Sequence, residues 1–133
     1  MMMTDELKKL LKRYEELAQI HASIDYGDSR SIKQANDAVD EMISISRKAS
    51  LMGEGALGAF TILLDVSANK VRLWAAHHIL EHMDFSKSLE QRALGIIREY
   101  AKGESANALG ERWWLKDWEE KHKQGVNSPD AAA

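Results

Sequence analysis

Cysteine is absent from this sequence, and proline occurs once, at Pro129. The lack of cysteine excludes disulfides, a thiolate metal site and a thiol nucleophile, and it suits a reducing compartment. With its one proline so late, the chain up to residue 128 is free of the strongest helix breaker, so long helices can run uninterrupted. No stretch of about 18 apolar residues is present to cross a bilayer. The opening Met1-Met2-Met3-Thr4-Asp5-Glu6 turns amphipathic at once and lacks the apolar core of a signal peptide. Neither sign of charge dominates: 18 Lys and Arg stand against 21 Asp and Glu, a net charge of −3 that argues for no nucleic-acid partner. There is no glycine-rich phosphate loop after a strand, no Gly-x-Ser-x-Gly elbow and no calcium-loop spacing. These absences lead to the expectation of a cytoplasmic protein without a membrane partner, a cofactor or a bound metal.

What is present is an ordinary globular balance of 44% hydrophobic and 29% charged residues in 133. That length holds one domain with a core of its own. Residues 1–123 are expected to form a single helical domain and residues 124–133 a flexible C-terminal tail. The charge is unevenly spread. Between residues 25 and 41, Asp25, Asp28, Asp37, Asp40 and Glu41 face only Arg30 and Lys33, so this short region alone carries −3.

Apolar residues recur at helical spacing along nearly the whole chain, and no alternation signals a strand. The first helix is expected from Asp5 to Tyr26, with Leu7, Leu10, Leu11, Tyr14, Leu17, Ala18 and His21 on one stripe. Gly27-Asp28-Ser29 breaks it. A second helix runs from Ser31 to Leu51 with Ile32, Ala35, Val39, Met42, Ile43 and Ser46 inward, and Ser31 with Gln34 has the spacing of a capping box. Gly53-Glu54-Gly55 ends it. A short apolar third helix covers Ala56 to Leu64, and Asp65 to Asn69 form a turn with Ser67 as N-cap of a fourth helix, Ala68 to Met83. A fifth helix spans Ser88 to Lys102, with Leu89, Ala93, Ile96, Ile97 and Tyr100 inward, and a sixth spans Ser105 to Lys123. Connections this short force antiparallel neighbours. The expected fold is all-α: about six helices in antiparallel hairpins, arranged as a two-layer, HEAT-like, right-handed α-α array.

The fourth helix contains His78-Ile79-Leu80-Glu81-His82, the His-x-x-Glu-His order of inverted zinc proteases. His78 and His82 are one helical turn apart and could share a zinc ion, with Glu81 as general base. A third protein ligand is required, and nothing in the sequence marks one out. The same helix has a second reading. At about 100° per residue, Leu73, Ala76, Ile79, Leu80 and Met83 gather on one arc, and Trp74, His78 and His82 form a ridge on the other side. Such a ridge suits a protein interface, where aromatic anchors dominate. The alternative is that Trp74 packs under the second or sixth helix. On the sixth helix, Ala108, Trp114, Leu115 and Trp118 share the core arc while Trp113 points away from it. The polar side of the second helix offers Asn36, Asp37, Asp40 and Glu41 as an acidic contact surface. Lys8, Lys9, Lys12 and Arg13 neighbour Glu15 and Glu16 and read as a solvated face.

Several of these pieces together resemble known proteins. Leu63-Leu64-Asp65, Val71-Arg72, Ala75-Ala76 and Leu80 follow the HEAT pattern of leucines, a turn aspartate, Val-Arg and small residues. With Asn36 and Asp40, the run Ile97-Arg98-Glu99-Tyr100-Ala101-Lys102-Gly103 and the end Leu115-Lys116-Asp117-Trp118, the chain is similar to a family of short bacterial helical proteins of unknown function. Those proteins are similar in size and setting to immunity proteins that protect bacteria from toxins. Trp74 and Trp113-Trp114 stand outside the shared pattern. The resemblance implies a non-catalytic protein, a monomer or weak dimer, that occludes the C-terminal domain of a toxin such as a nuclease. Trp74, His78, His82, Asn36, Asp37, Asp40, Glu41 and Trp113 are then the candidate partner contacts. An adaptor or regulatory module with no toxin partner is the alternative, and a zinc metalloprotein built on the His-x-x-Glu-His residues is a more distant one.

Overall fold

A computed structural model describes residues 4–126 of the chain. Regular structure among them is entirely helical: α1 (Asp5–Ala22), α2 (Ser29–Leu51), α3 (Glu54–Phe60), α4 (Val71–His82), α5 (Lys87–Tyr100) and α6 (Ala106–Val126), with short 3-10 helices at Thr61–Asp65 and Ala68–Lys70. The all-α class and the six helices are those that the periodicity predicts. None of the helices among the described residues is long and apolar enough to cross a membrane. Contacts divide the chain into two compact units, residues 1–93 and 94–133. The division falls inside α5, where no break in the apolar pattern announces it. Of the stretch expected to be a flexible tail, residues 124–126 continue α6 and residues 127–133 lie outside the described ones.

In the first unit, α1 begins where Thr4 Oγ1 accepts the Leu7 N–H at 3.2 Å, with Asp5 and Glu6 in the first turn facing the positive end of the helix dipole. Its buried stripe is Leu7, Leu11, Tyr14, Leu17 and Ala18. The helix stops at Ala22, four residues short of the expected Tyr26. Local polar bonds compete with the helix there. Asp25 Oδ1 accepts the Gly27 N–H at 2.9 Å, Ser31 Oγ accepts the Asp25 N–H at 2.7 Å, and Asp28 Oδ1 accepts the Arg30 N–H at 2.9 Å. Asp28 is therefore the N-cap of α2, and the expected Ser31–Gln34 capping box does not form. Ser31 ties down the preceding loop instead.

The hairpin of α1 and α2 is antiparallel. Arg13 in the middle of α1 reaches across to Glu41 on α2 with Nε to Oε2 at 2.7 Å and Nη2 to Oε1 at 3.1 Å, a two-pronged pairing about equally far from the loop on each side. The inner face of α2 is lined by Ala35, Ala38, Met42, Ile45, Ser46 and Ala49. Past Met52 the chain turns on Gly53, whose φ of 100° suits a residue without a Cβ. The expected helix over Ala56 to Leu64 is shorter, ending at Phe60 and tightening into the 3-10 helix that buries Leu63 and Leu64.

Ser67 does not cap α4. Asn69 and Lys70 both take left-handed backbone angles (φ 53° and 58°), and α4 starts at Val71 with the Arg72 N–H bonded to the Val66 carbonyl at 2.8 Å. Once begun, α4 has almost no solvent side: Val71, Leu73, Ala75, Ala76, His78, Ile79 and Leu80 are all buried. A helix buried on most of its circumference is a central element, and α4 packs on α1, α2 and the 3-10 helix Thr61–Asp65. That 3-10 helix is also held by Arg92 of α5, whose Nη2 lies 2.8 Å from Asp65 Oδ1.

In the second unit, Gly103 (φ 99°) ends α5, and Ser105 Oγ accepts the Ala108 N–H at 3.0 Å to start α6. Arg112 reaches back from α6 and donates from Nη1 to the carbonyls of Ala101 and Gly103, each at 2.7 Å, so the turn's exposed acceptors are satisfied from one side chain.

The two cap assignments are separable by measurement. Asp28→Ala should lower the stability of the protein by about 1 kcal/mol in urea unfolding, whereas Ser67→Ala should stay within about 0.5 kcal/mol of the unaltered protein.

Candidate functional site

The residues with chemical potential in α4 face α1. Tyr14, fully buried on the inner stripe of α1, has its phenol oxygen 2.6 Å from His78 Nδ1. The Phe60 ring meets Tyr14 edge-on at 5.1 Å between centroids, and the His78 ring stands perpendicular to it at 5.8 Å. Burial pushes the phenol well above its usual range, so it stays protonated and donates. With Nδ1 accepting, the imidazole proton sits on Nε2.

His78 is the centre of a longer row of rings. His21 on α1 meets Trp74 edge-on at 4.8 Å, Trp74 lies 5.8 Å from His78, and His78 lies 5.8 Å from His82. Burial lowers the His78 imidazole to about 4; Glu81 acts in the opposite direction, and His82 and His77 lower it further. Burial also lowers His82 and His21; Glu81 opposes this at His82, while Arg47 and Lys70 respectively add to it. Glu81 turns to His77, with Oε1 3.6 Å from Nδ1, and that contact holds its carboxyl below the ordinary range.

The ridge of Trp74, His78 and His82 thus exists as the helical spacing predicts, but two of its members, Trp74 and His78, meet side chains of α1. His78 keeps 4% of its surface exposed and offers nothing for a partner to touch, a correction to its place among the contact residues. Trp74 and His82 remain half-buried. Trp74 meets the His21 ring of α1 edge-on. The zinc reading lacks, among the described residues, the third protein ligand that it requires. Among the described residues, no group of three or more His, Cys, Asp or Glu side chains is placed to hold a metal ion.

The acidic candidates lie on the outer side of α2. Asn36, Asp37 and Asp40 are exposed, and Glu41 is half-buried under Arg13. Asp37 pairs with Lys33 at 2.9 Å, an exposed one-turn contact of small energetic weight. The Arg13 guanidinium holds the Glu41 carboxyl below the ordinary range. Glu41 therefore joins α1 to α2, while Asn36, Asp37 and Asp40 present polar groups outward from a helix whose opposite face is packed.

On α6, Trp113 is 68% exposed and Leu109 is exposed beside it at one-turn spacing. Trp114, Trp118 and His122 form a second ladder, with centroids 5.3 Å apart and then 3.8 Å, both pairs stacked. Ala108 and Leu115 are buried as expected; Trp114 and Trp118 are half-buried.

Sequence reasoning missed Tyr14 as the partner of His78. Both are polar groups on apolar stripes, which signals that each needs a partner; the signal does not say which pairs with which. It also placed Tyr26 in a helix, whereas that residue is 77% exposed in the α1–α2 loop.

No protein-family model, curated protein or solved structure matches the chain.

Replacing Tyr14 with Phe keeps the ring contact with Phe60 and removes only the hydroxyl. Leaving the buried Nδ1 without its donor should cost about 1–3 kcal/mol in urea unfolding at pH 7.5. An unchanged midpoint would mean that the 2.6 Å bond contributes nothing to the α1–α4 contact.

Proposed function

We propose that the chain is a non-catalytic binding protein of the immunity type, which neutralises a bacterial toxin domain by stoichiometric occlusion. The observation that carries this reading is the disposition of α2. Its inner side is anchored by Ala35, Ala38 and Met42, all nearly removed from solvent, and its outer side exposes Asn36, Asp37 and Asp40. A surface held on a packed helix is preformed, so little conformational entropy is lost when a partner docks. Acidic groups on it complement the basic clefts with which nucleases hold RNA or DNA, and they accelerate encounter by long-range attraction.

The burial of His78 supports the same reading, because it takes the central histidine of α4 out of contact with any substrate. Trp113 is a separate candidate contact in the second unit, where an exposed indole can anchor a protein interface. In this reading the helical hairpins are a HEAT-like scaffold with no turnover chemistry. A general adaptor module shares the scaffold and differs in its partner.

The partner predicted by this reading is the C-terminal domain of a toxin encoded beside the gene for this chain. Co-expression should rescue growth of cells producing that domain, and the two proteins should form a 1:1 complex. Substituting Lys for both Asp37 and Asp40 should slow association on the order of tenfold at low salt, and flatten its salt dependence, without changing the unfolding midpoint. Full-speed association by the doubly substituted protein would eliminate the α2 surface. Absence of both rescue and complex formation would eliminate the toxin and leave the adaptor reading.

A further inference from the structure

The outer face of α2 makes no use of the ring cluster between α1 and α4, and that cluster has properties that packing alone does not require. Three of the five histidines of the chain, His21, His78 and His82, stand in one row with Trp74. The row joins two helices, because His21 belongs to α1 and the others to α4.

The bond at its centre tolerates only one protonation state. The Tyr14 phenol donates to a bare Nδ1 across 2.6 Å. If Nδ1 gains a proton, two donors face each other over that distance. The clash is relieved only if the phenol hydrogen turns away, but Tyr14 is fully buried and has the Phe60 ring against it. A turned hydrogen gives up its bond to His78 in a place sealed from solvent, and an imidazolium would remain in a site 4% exposed.

The charged and titratable neighbours come from four directions. Within α4, Glu81 favours a proton on His78, and His77 and His82 oppose it. From α1 come the Tyr14 phenol and, beyond Trp74, His21. Arg47 of α2 acts on His82, and Lys70, just ahead of α4, acts on His21. Both cations oppose protonation at the ends of the row, and Glu81, the one acidic neighbour in this set, favours a proton on His78 and on His82.

We propose that the Tyr14–His78 bond is an acid-sensitive latch holding α1 against α4, released when His78 takes up a proton.

The direction follows from linkage. His78 in the latched protein is lowered to about 4, and after release it returns to the ordinary imidazole value near 6.5. The released form therefore binds more protons between these values, so the latch is fully held above pH 6.5 and progressively lost as pH falls towards 4. The opening equilibrium for α1 should rise about twentyfold between pH 7 and pH 5.

Hydrogen–deuterium exchange of the full chain reads this directly, with rates at each pH divided by their intrinsic values. Protection of the α1 amides should fall about twentyfold from pH 7 to pH 5. In His78→Asn, whose amide oxygen can accept from Tyr14 and does not titrate, the fall should be several-fold smaller. Equal α1 protection at the two pH values would overturn the latch, as would a His78→Asn protein with the same acid dependence as the unaltered one. An NMR titration of the His78 ring in the unaltered protein decides the matter without relying on that variant. Ring resonances that stay in the neutral form until α1 protection is lost support the latch, and protonation near pH 6.5 with α1 still protected refutes it.

Discussion

One hydrogen bond between a phenol and an imidazole sits where the helices of the first unit converge. Tyr14 is sealed from solvent and His78 nearly so, so each relies on the other for this bond, and the 2.6 Å contact fixes which turn of α1 lies against which turn of α4. Apolar contacts alone would tolerate sliding or rotation of one helix on the other, because their attraction has little direction. A buried donor–acceptor pair does not. Phe60, edge-on to Tyr14, brings the end of α3 into the same arrangement.

Alanines are frequent in the core around larger apolar side chains. Ala18, Ala35, Ala49, Ala75 and Ala76 have no exposed surface, and they come from three different helices. Alanine at such positions lets helix backbones approach closely, and larger residues such as Leu17, Met42 and Ile79 fill the space between. The ion pairs add orientation more than stability. Arg13 and Glu41 are both substantially exposed, so solvent weakens their attraction, yet their two-pronged geometry agrees with the α1–α2 register.

This economy separates the inside of the protein from its surfaces. Chemically versatile groups on α4 serve cohesion between helices, while polar groups on α2 and an indole on α6 stay at the surface. The same histidines that make the α1–α4 contact specific also give it a protonation state to defend. Cohesion and acid sensitivity are thus two consequences of placing an imidazole where a leucine would have packed.

Helical periodicity alone was enough for the all-α class, for the six helices and for most inward-facing residues of α1, α4 and α5. The arc of Leu73, Ala76, Ile79, Leu80 and Met83 is buried throughout. Helix ends were less legible. Ser31 and Ser67 have the residue type of caps, but Asp28 caps α2 and two left-handed residues precede α4, because a cap is chosen by competition among nearby polar groups. The meaning of Trp74, His78 and His82 was not legible at all. Spacing along a helix determines which side chains share a face, since it depends only on the rotation per residue. Whether that face meets water, a partner or another helix depends on contacts distant in sequence, and here Tyr14, 64 residues away from His78, decided it.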